Sequence, residues 1–192
     1  IFRDLEAKRT QISMHTQYYQ VVLSSLNIMA GEFGFDAYID HGSFDSWPLA
    51  QLAEELGVAA ILGPREVLWP RTRAYPKDGR VEGSAWGFQK EGHSRIGFNT
   101  DAPVIPQEEL PLQAAMGVHY GFDNSKMDAL RGLTIVPAMT VGLHADQGSV
   151  EVGKYADLIV TTGDPIDPRN SVERVIQHGR TVYDASTERR RW

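Results

Sequence analysis

The sequence predicts an α/β protein built on a parallel sheet with crossover helices, followed by a run of short strands. Three observations carry that expectation. Strand-like and helix-like apolar periods alternate over residues 10–120 at the pitch of strand–crossover–strand units. Residues 58–62 are almost wholly apolar, as in a strand covered on both faces. After about residue 146 the helical period gives way to short apolar runs separated by Gly-containing turns.

Taken in order, residues 1–9 read as the end of a helix and not as a signal peptide, which implies a chain entered in the middle of a longer protein. Residues 10–14, with Ile12 and Met14 alternating against polar neighbours, predict a strand ending at His15. Tyr18, Val22, Leu26 and Met29 are spaced as one face of a helix over residues 18–30. Residues 37–40 predict a second strand, ending at His41-Gly42. A helix follows from Ser46-Trp47-Pro48, with Pro in its first turn, Leu49, Leu52, Ala53 and Leu56 inward, and Gly57 as its stop. The third strand, residues 58–62, runs into Gly63-Pro64.

Residues 64–87 then read as one long irregular segment, a length usually tied to function. Residues 94–99 predict a fourth strand, ending at Thr100-Asp101-Ala102-Pro103. Helical patterns return over residues 107–120, 126–131 and 135–143, and short strands over 156–160, 172–176 and 181–183. Two arrangements of the parallel part compete, an open doubly wound sheet and a (β/α)8 barrel. No Gly-x-Gly-x-x-Gly follows a strand, which weakens the nucleotide-binding form of the first.

The composition excludes several function classes. A net charge of -6 argues against nucleic acid as the main partner. No apolar run is long enough for a membrane span. The 192 residues include no cysteine, so any zinc-like site must use imidazole and carboxylate ligands. Arg189-Arg190-Arg191 reads as a solvated tail.

The informative pattern is what ends each strand. His15, His41 and Asp101 each sit at or just past the carboxyl end of a predicted strand. Parallel strands deliver their carboxyl ends to one face, so these side chains are brought together there. Two imidazoles and a carboxylate suit a catalytic zinc-like ion with a position left for water. The ion lowers the pKa of that water, and a nearby carboxylate takes its proton.

Thr100-Asp101-Ala102-Pro103 after a strand resembles the eighth-strand signature of the amidohydrolase superfamily. The text downstream resembles the C-terminal end of that superfamily in order: Leu133 to Ala138, Gly142, Gly148 to Val160 with its Gly153-Lys154-Tyr155-Ala156-Asp157 turn, Gly163-Asp164-Pro165, and Gly179-Arg180-Thr181-Val182-Tyr183. The resemblance covers residues 10–184 and is nearest to imidazolonepropionase-like, dihydroorotase-like and prolidase-like members. It implies the C-terminal half of a TIM-like (β/α)8 barrel, strands five to eight, in residues 1–145. Residues 146–186 then belong to a small flanking β-sandwich, and 187–192 to a tail.

The same resemblance implies roles. His15 and His41 match the fifth- and sixth-strand metal ligands; Asp101 matches the aspartate that binds metal and acts as general base. The ion is a divalent metal, zinc by preference, in one or two copies, and the substrate is a small molecule with a C–N bond. Arg65, Trp69, Arg71, Arg73 and Trp86 fall on the segment expected to cover the site, where Arg65 and Trp69 are the substrate-contact candidates; loop packing is the simpler reading of each. His93, His119, His144 and His178 read as structural or exposed, Asp157 as a turn residue, and Glu54 and Glu55 as the wet face of a helix.

Two family features are missing: no His-x-His occurs, and Lys8 does not occupy the fourth-strand bridging position. The expectation is that the first four strands belong to an absent N-terminal half or to another chain. Open sheet edges then favour oligomer formation. The rival reading is a catalytically incomplete half-barrel that serves as an assembly piece, and a third is a metal-free open sheet that binds a small ligand.

Overall fold

A computed structural model describes residues 1–64 and 81–188. Helix α1 (Phe2–Glu6) precedes strand β1 (Ile12–Thr16). Helix α2 (Tyr19–Ser25) runs on into a π-helical stretch, Leu26–Glu32, and leads to β2 (Ala37–His41). A 3-10 turn, Trp47–Leu49, opens α3 (Ala50–Glu55), which returns to β3 (Ala59–Leu62). Helix α4 (Ser84–Lys90) precedes β4 (Ile96–Phe98). Then come α5 (Leu110–His119), α6 (Asp128–Leu133), α7 (Ile135–Thr140), and strands β5 (Leu158–Thr161), β6 (Val172–Gln177) and β7 (Arg180–Asp184).

The first four strands form one sheet in the order β1-β2-β3-β4, every pair parallel. The last three form a separate antiparallel sheet in the order β5-β6-β7. The fold is therefore mixed α/β, as the alternation of periods predicts.

Three boundaries differ from the sequence reading. Strand β1 extends to Thr16, so His15 lies within the strand instead of at its end. Strand β4 shrinks to Ile96–Phe98. The segment read as irregular through residue 87 is helical from Ser84. Gly83 and Gly87 suggest a loop, but Gly87 is what the packing requires: a Cβ there would stand 2.9 Å from the Trp47 side chain. Close helix packing is indistinguishable from loop punctuation in a single sequence.

Alternation along β1 assigns the faces of the sheet. Met14 and Thr16 are buried while Ser13 and His15 are exposed. Met14 joins Ile39, Ala60 and Leu62 in one core with Val22, Leu26, Leu49, Ala53 and Phe88 from the helical segments. Phe88 and Leu26 are fully buried, each contributing about 1.5–3 kcal/mol of apolar burial. The other face, with Ser13, His15, Tyr38 and Asp40, is exposed or half-buried. At β4 the same face is approached by α6 and α7: a Cβ at Gly97 would stand 3.2 Å from the Gly132 backbone oxygen and 3.7 Å from the Val136 side chain.

The C-terminal segment is tied to this core by Ile166, which is buried in the same cluster. Its own sheet is largely solvent-facing, with Ile159 67% and Val182 55% exposed. The Asp157 carboxylate accepts the His178 backbone N–H at 2.7 Å, the turn role read from the sequence. Among the described residues no helix is long and apolar enough to cross a membrane.

Candidate metal centre

The parallel register fixes a row of residues at the carboxyl edge of the sheet. Thr16 pairs with His41, His41 with Leu62, and Leu62 with Phe98. His15 stands one residue back in β1, exposed and on the face opposite Met14 and Thr16. Strict alternation would direct His41 with Ile39 into the helix-packed core. Its φ of 83° breaks the alternation, and its ring meets that of His15 edge to face, with centroids 4.4 Å apart. Asp101, also at positive φ (50°), stands just beyond β4. Left-handed conformations at non-glycine residues are sparse and cluster at functional sites. The structure thus brings together the three residues that the sequence singles out. One ligand atom from each of His15, His41 and Asp101 lies within 4.8 Å of the others.

His41 is fixed by its environment. It is 2% exposed. Its Nδ1 lies 2.7 Å from the Gly63 carbonyl oxygen, which also accepts from Ser43 Oγ at 2.8 Å. A carbonyl only accepts, so Nδ1 carries a hydrogen, and Nε2 is the ring nitrogen left to meet a ligand. That Nε2 is buried without a hydrogen-bond partner and faces Asp101 Oδ1 at 3.9 Å. A buried polar atom without a partner costs about 1–3 kcal/mol. A cation between Nε2, the His15 ring and the Asp101 carboxylate would supply the missing partner. The donor set of two imidazoles and one carboxylate matches what zinc-like ions take.

A polar network missed by the sequence reading supports this edge. Asn99 donates from Nδ2 to Asp40 Oδ1 at 3.0 Å and to the Ile61 carbonyl at 2.9 Å, and Ser13 Oγ donates to Asp40 Oδ2 at 3.2 Å. Asp40 interrupting an otherwise apolar strand was the available signal. Gly63, at φ 134°, lies so close to Asn99 that a Cβ would collide with the Asn99 backbone oxygen.

The remaining sequence candidates divide. Arg65, Trp69, Arg71 and Arg73 lie outside the described residues, as do residues 189–192. Trp86 belongs to α4, where it packs under Gly121 and carries Lys90 Nζ 4.6 Å over its ring, a packing role. His119, His144 and His178 are exposed.

Glu54 differs from the expected wet face. It accepts from the backbone N–H and Oγ of Ser94, and approaches His93 Nδ1 at 3.0 Å. Both ring nitrogens of His93 are buried without a hydrogen-bond partner among the described residues. Burial pushes the His93 pKa below the usual imidazole range; Glu54 opposes this and Arg95 reinforces it. Burial acts to raise the Glu54 carboxyl, but the Ser94 hydrogen bonds and the nearby His93 and Arg95 bring it below its ordinary value.

A cavity of about 400 Å3 opens beside this pair, lined by His93, Ser94, Ile96, Phe122 and Arg131 among others. None of His15, His41 and Asp101 lines it.

Fold and donor set together define an α/β protein with a candidate cation site at the carboxyl edge of a parallel sheet. A model of the Amidohydrolase family matches residues 85–182, and the chain belongs to that family. It is 30% identical over 131 residues to an imidazolonepropionase of Sphingopyxis alaskensis, covering 66% of this chain and 32% of that protein. It is 42% identical over 57 residues to an N-substituted formamide deformylase of Arthrobacter pascens, covering 30% of this chain and 10% of that one. The crystal structure of an amidohydrolase from Thermotoga maritima superposes with a TM-score of 0.78 at 31% identity, over 95% of this chain and 45% of that one. The chain thus spans a third or less of these curated relatives and under half of the structural neighbour.

Proposed function

We propose that this chain carries part of the active site of a metal-dependent hydrolase acting on a carbon–nitrogen bond of a small molecule, such as an amide, a cyclic amide or an amidine. The single observation that carries the reading is the convergence of His15, His41 and Asp101 within 4.8 Å, with His41 Nε2 buried and unpartnered. Family membership supports it, as do the names of the imidazolonepropionase and the formamide deformylase to which the chain is similar.

In this reading His15, His41 and Asp101 hold a divalent cation, zinc by the donor set, in one or two copies. The bound ion supplies Lewis acidity and eases deprotonation of the attacking water. Gly63 and Ser43 hold the edge that presents His41 Nε2. The Asp101 carboxylate accepts the proton of the attacking water and passes it to the leaving nitrogen. Residues 1–145 form the half of a TIM-like barrel that contains strands five to eight, residues 146–186 a share of a flanking β-sandwich, and 187–192 a tail. The other strands, with the ligands not found here, come from another stretch of the protein or from another chain. Arg65 and Trp69 remain candidates for contacting substrate.

The test is hydrolysis of a panel of cyclic amides, N-formyl amines, dipeptides and amidines by the full-length zinc-loaded protein. Asp101→Asn preserves size but cannot take a proton, and should lower kcat by about 100- to 10,000-fold. Turnover undiminished in that variant would remove Asp101 from the chemistry.

A second reading has one observation in its favour. Among the described residues β1 and β4 each have one hydrogen-bonded neighbour, and unpaired edges recruit further strands. A catalytically incomplete half-barrel that serves in assembly, with itself or with a separate chain, uses those edges. Size-exclusion mass measurement distinguishes the two: an assembly without metal or turnover supports this reading, and metal-loaded turnover by the full-length protein excludes it.

A further inference from the structure

The sheet face that carries His15 also carries a carboxylate outside the cluster of candidate ligands. Asp40 stands opposite His15 in the β1–β2 register, one residue before His41. Both of its oxygens are engaged, Oδ1 by Asn99 Nδ2 and Oδ2 by Ser13 Oγ. Both acceptors of Asn99 Nδ2, the Asp40 carboxylate and the Ile61 carbonyl, can only accept, so the orientation of the amide is fixed. The Asn99 backbone N–H adds a bond to the Leu62 carbonyl at 2.7 Å. One residue thus fastens the segment leaving β4 to both β2 and β3.

Asp101 is two residues further on. Its turn is closed by Val104 N–H to the Asp101 carbonyl at 2.7 Å and by Ile105 N–H to the Thr100 carbonyl at 3.2 Å. The turn is internally braced, so its placement over the sheet depends on where Asn99 anchors it. Among the described residues the Asn99 amide donates to Asp40 in the strand of His41 and to Ile61 in β3. The Asn99–Asp40 bond therefore links the donor beyond β4 directly to the strand that bears the buried imidazole.

We propose that Asn99 and Asp40 are positioning residues of the metal centre: the hydrogen bond between them sets the Asp101 carboxylate against His41 and His15, and so sets the affinity for a divalent cation. The inference rests on the metal-site reading above. Neither side chain ligates the ion; both act through Asp101, and their effects must therefore vanish when Asp101 is gone.

The test titrates cobalt(II) into the chelator-stripped full-length protein and follows the d–d absorption band. Asn99→Ala and Asp40→Ala should each weaken cobalt binding by about 10- to 100-fold, the range for partners that orient metal ligands. Asp40→Asn keeps an acceptor for the Asn99 amide and should recover most of that loss. In the background of Asp101→Ala, Asn99→Ala should have no further effect. Should Asn99→Ala fail to fold by circular dichroism, Asp40→Ala breaks the same bond from the other side.

The proposal is overturned if both alanine variants bind within about twofold of the parent, or if the Asn99→Ala and Asp101→Ala losses add in full. It is also overturned if Asp40→Asn is as weak as Asp40→Ala, since charge and not placement would then be at work. A folded parent that binds no cobalt overturns the metal-site reading and this proposal with it. A parent that binds, loses the ion on His41→Ala, and keeps it on Asn99→Ala and Asp40→Ala loses the positioning role alone.

Discussion

His41 Nδ1 donates to the carbonyl oxygen of Gly63 at 2.7 Å, and this contact across the β2–β3 edge decides which ring nitrogen faces the candidate metal centre. The contact depends on Gly63 being glycine. Its φ is 134°, and a Cβ there would collide with the Asn99 backbone oxygen. Gly63→Ala should cost about 1–3 kcal/mol in backbone strain, and should also move the carbonyl from His41. Thermal unfolding with chelator and with zinc checks both effects. The expected result is a lower Tm without metal and a smaller rise on adding zinc. A variant equal to the parent in both would remove the contact from the account.

The His93–Glu54 pair gives a pH dependence of defined sign. The His93 pKa is lowered on folding, chiefly by burial, so below about pH 6.5 the unfolded chain binds a proton that the native chain resists. The Glu54 pKa is also lowered, so its contribution is present above the ordinary carboxyl range and is lost as pH falls through its folded value. Both act in the same direction: stability falls as the solution is acidified, first through His93 and then through Glu54. Tm measured between pH 7.5 and 5 should decline, and His93→Gln should flatten that decline. An unchanged slope in the variant would mean that other groups set it.

Phe88 tests the reading of α4 as a core helix. It is fully buried and belongs to the cluster that joins the helices to Ile96 and Phe98 of β4. Phe88→Ala should destabilise the protein by about 3–5 kcal/mol, read as a lower urea midpoint at an unchanged slope. A loss under about 1 kcal/mol would place Phe88 in a site that collapses readily or is exposed.

The alternation of strand and helix was legible because burial on a parallel sheet imposes it on the apolar residues, as at Val22, Leu26, Leu49 and Ala53. His15, His41 and Asp101 were legible because each falls at or just past the carboxyl end of a predicted strand, and the structure brings them together. What the sequence hid was conformational. Nothing in the residue type of His41 announces a φ of 83°, yet that torsion turns its ring toward His15. Asp40 left a signal as a carboxylate within an apolar strand, but its pairing with Asn99 spans 59 residues of sequence and leaves no local trace in one chain. Helix α4 was obscured by Gly83, its N-cap residue, and by Gly87, which serves close packing against Trp47 and not a loop.

Metal stoichiometry tests the central claim most directly. The full-length protein, equilibrated with zinc and dialysed, should retain one or two ions per chain by elemental analysis, and His15→Ala, His41→Ala and Asp101→Ala should each lower that content while circular dichroism shows the fold intact. A folded parent that retains no metal, or three variants that retain as much as the parent, would contradict the account.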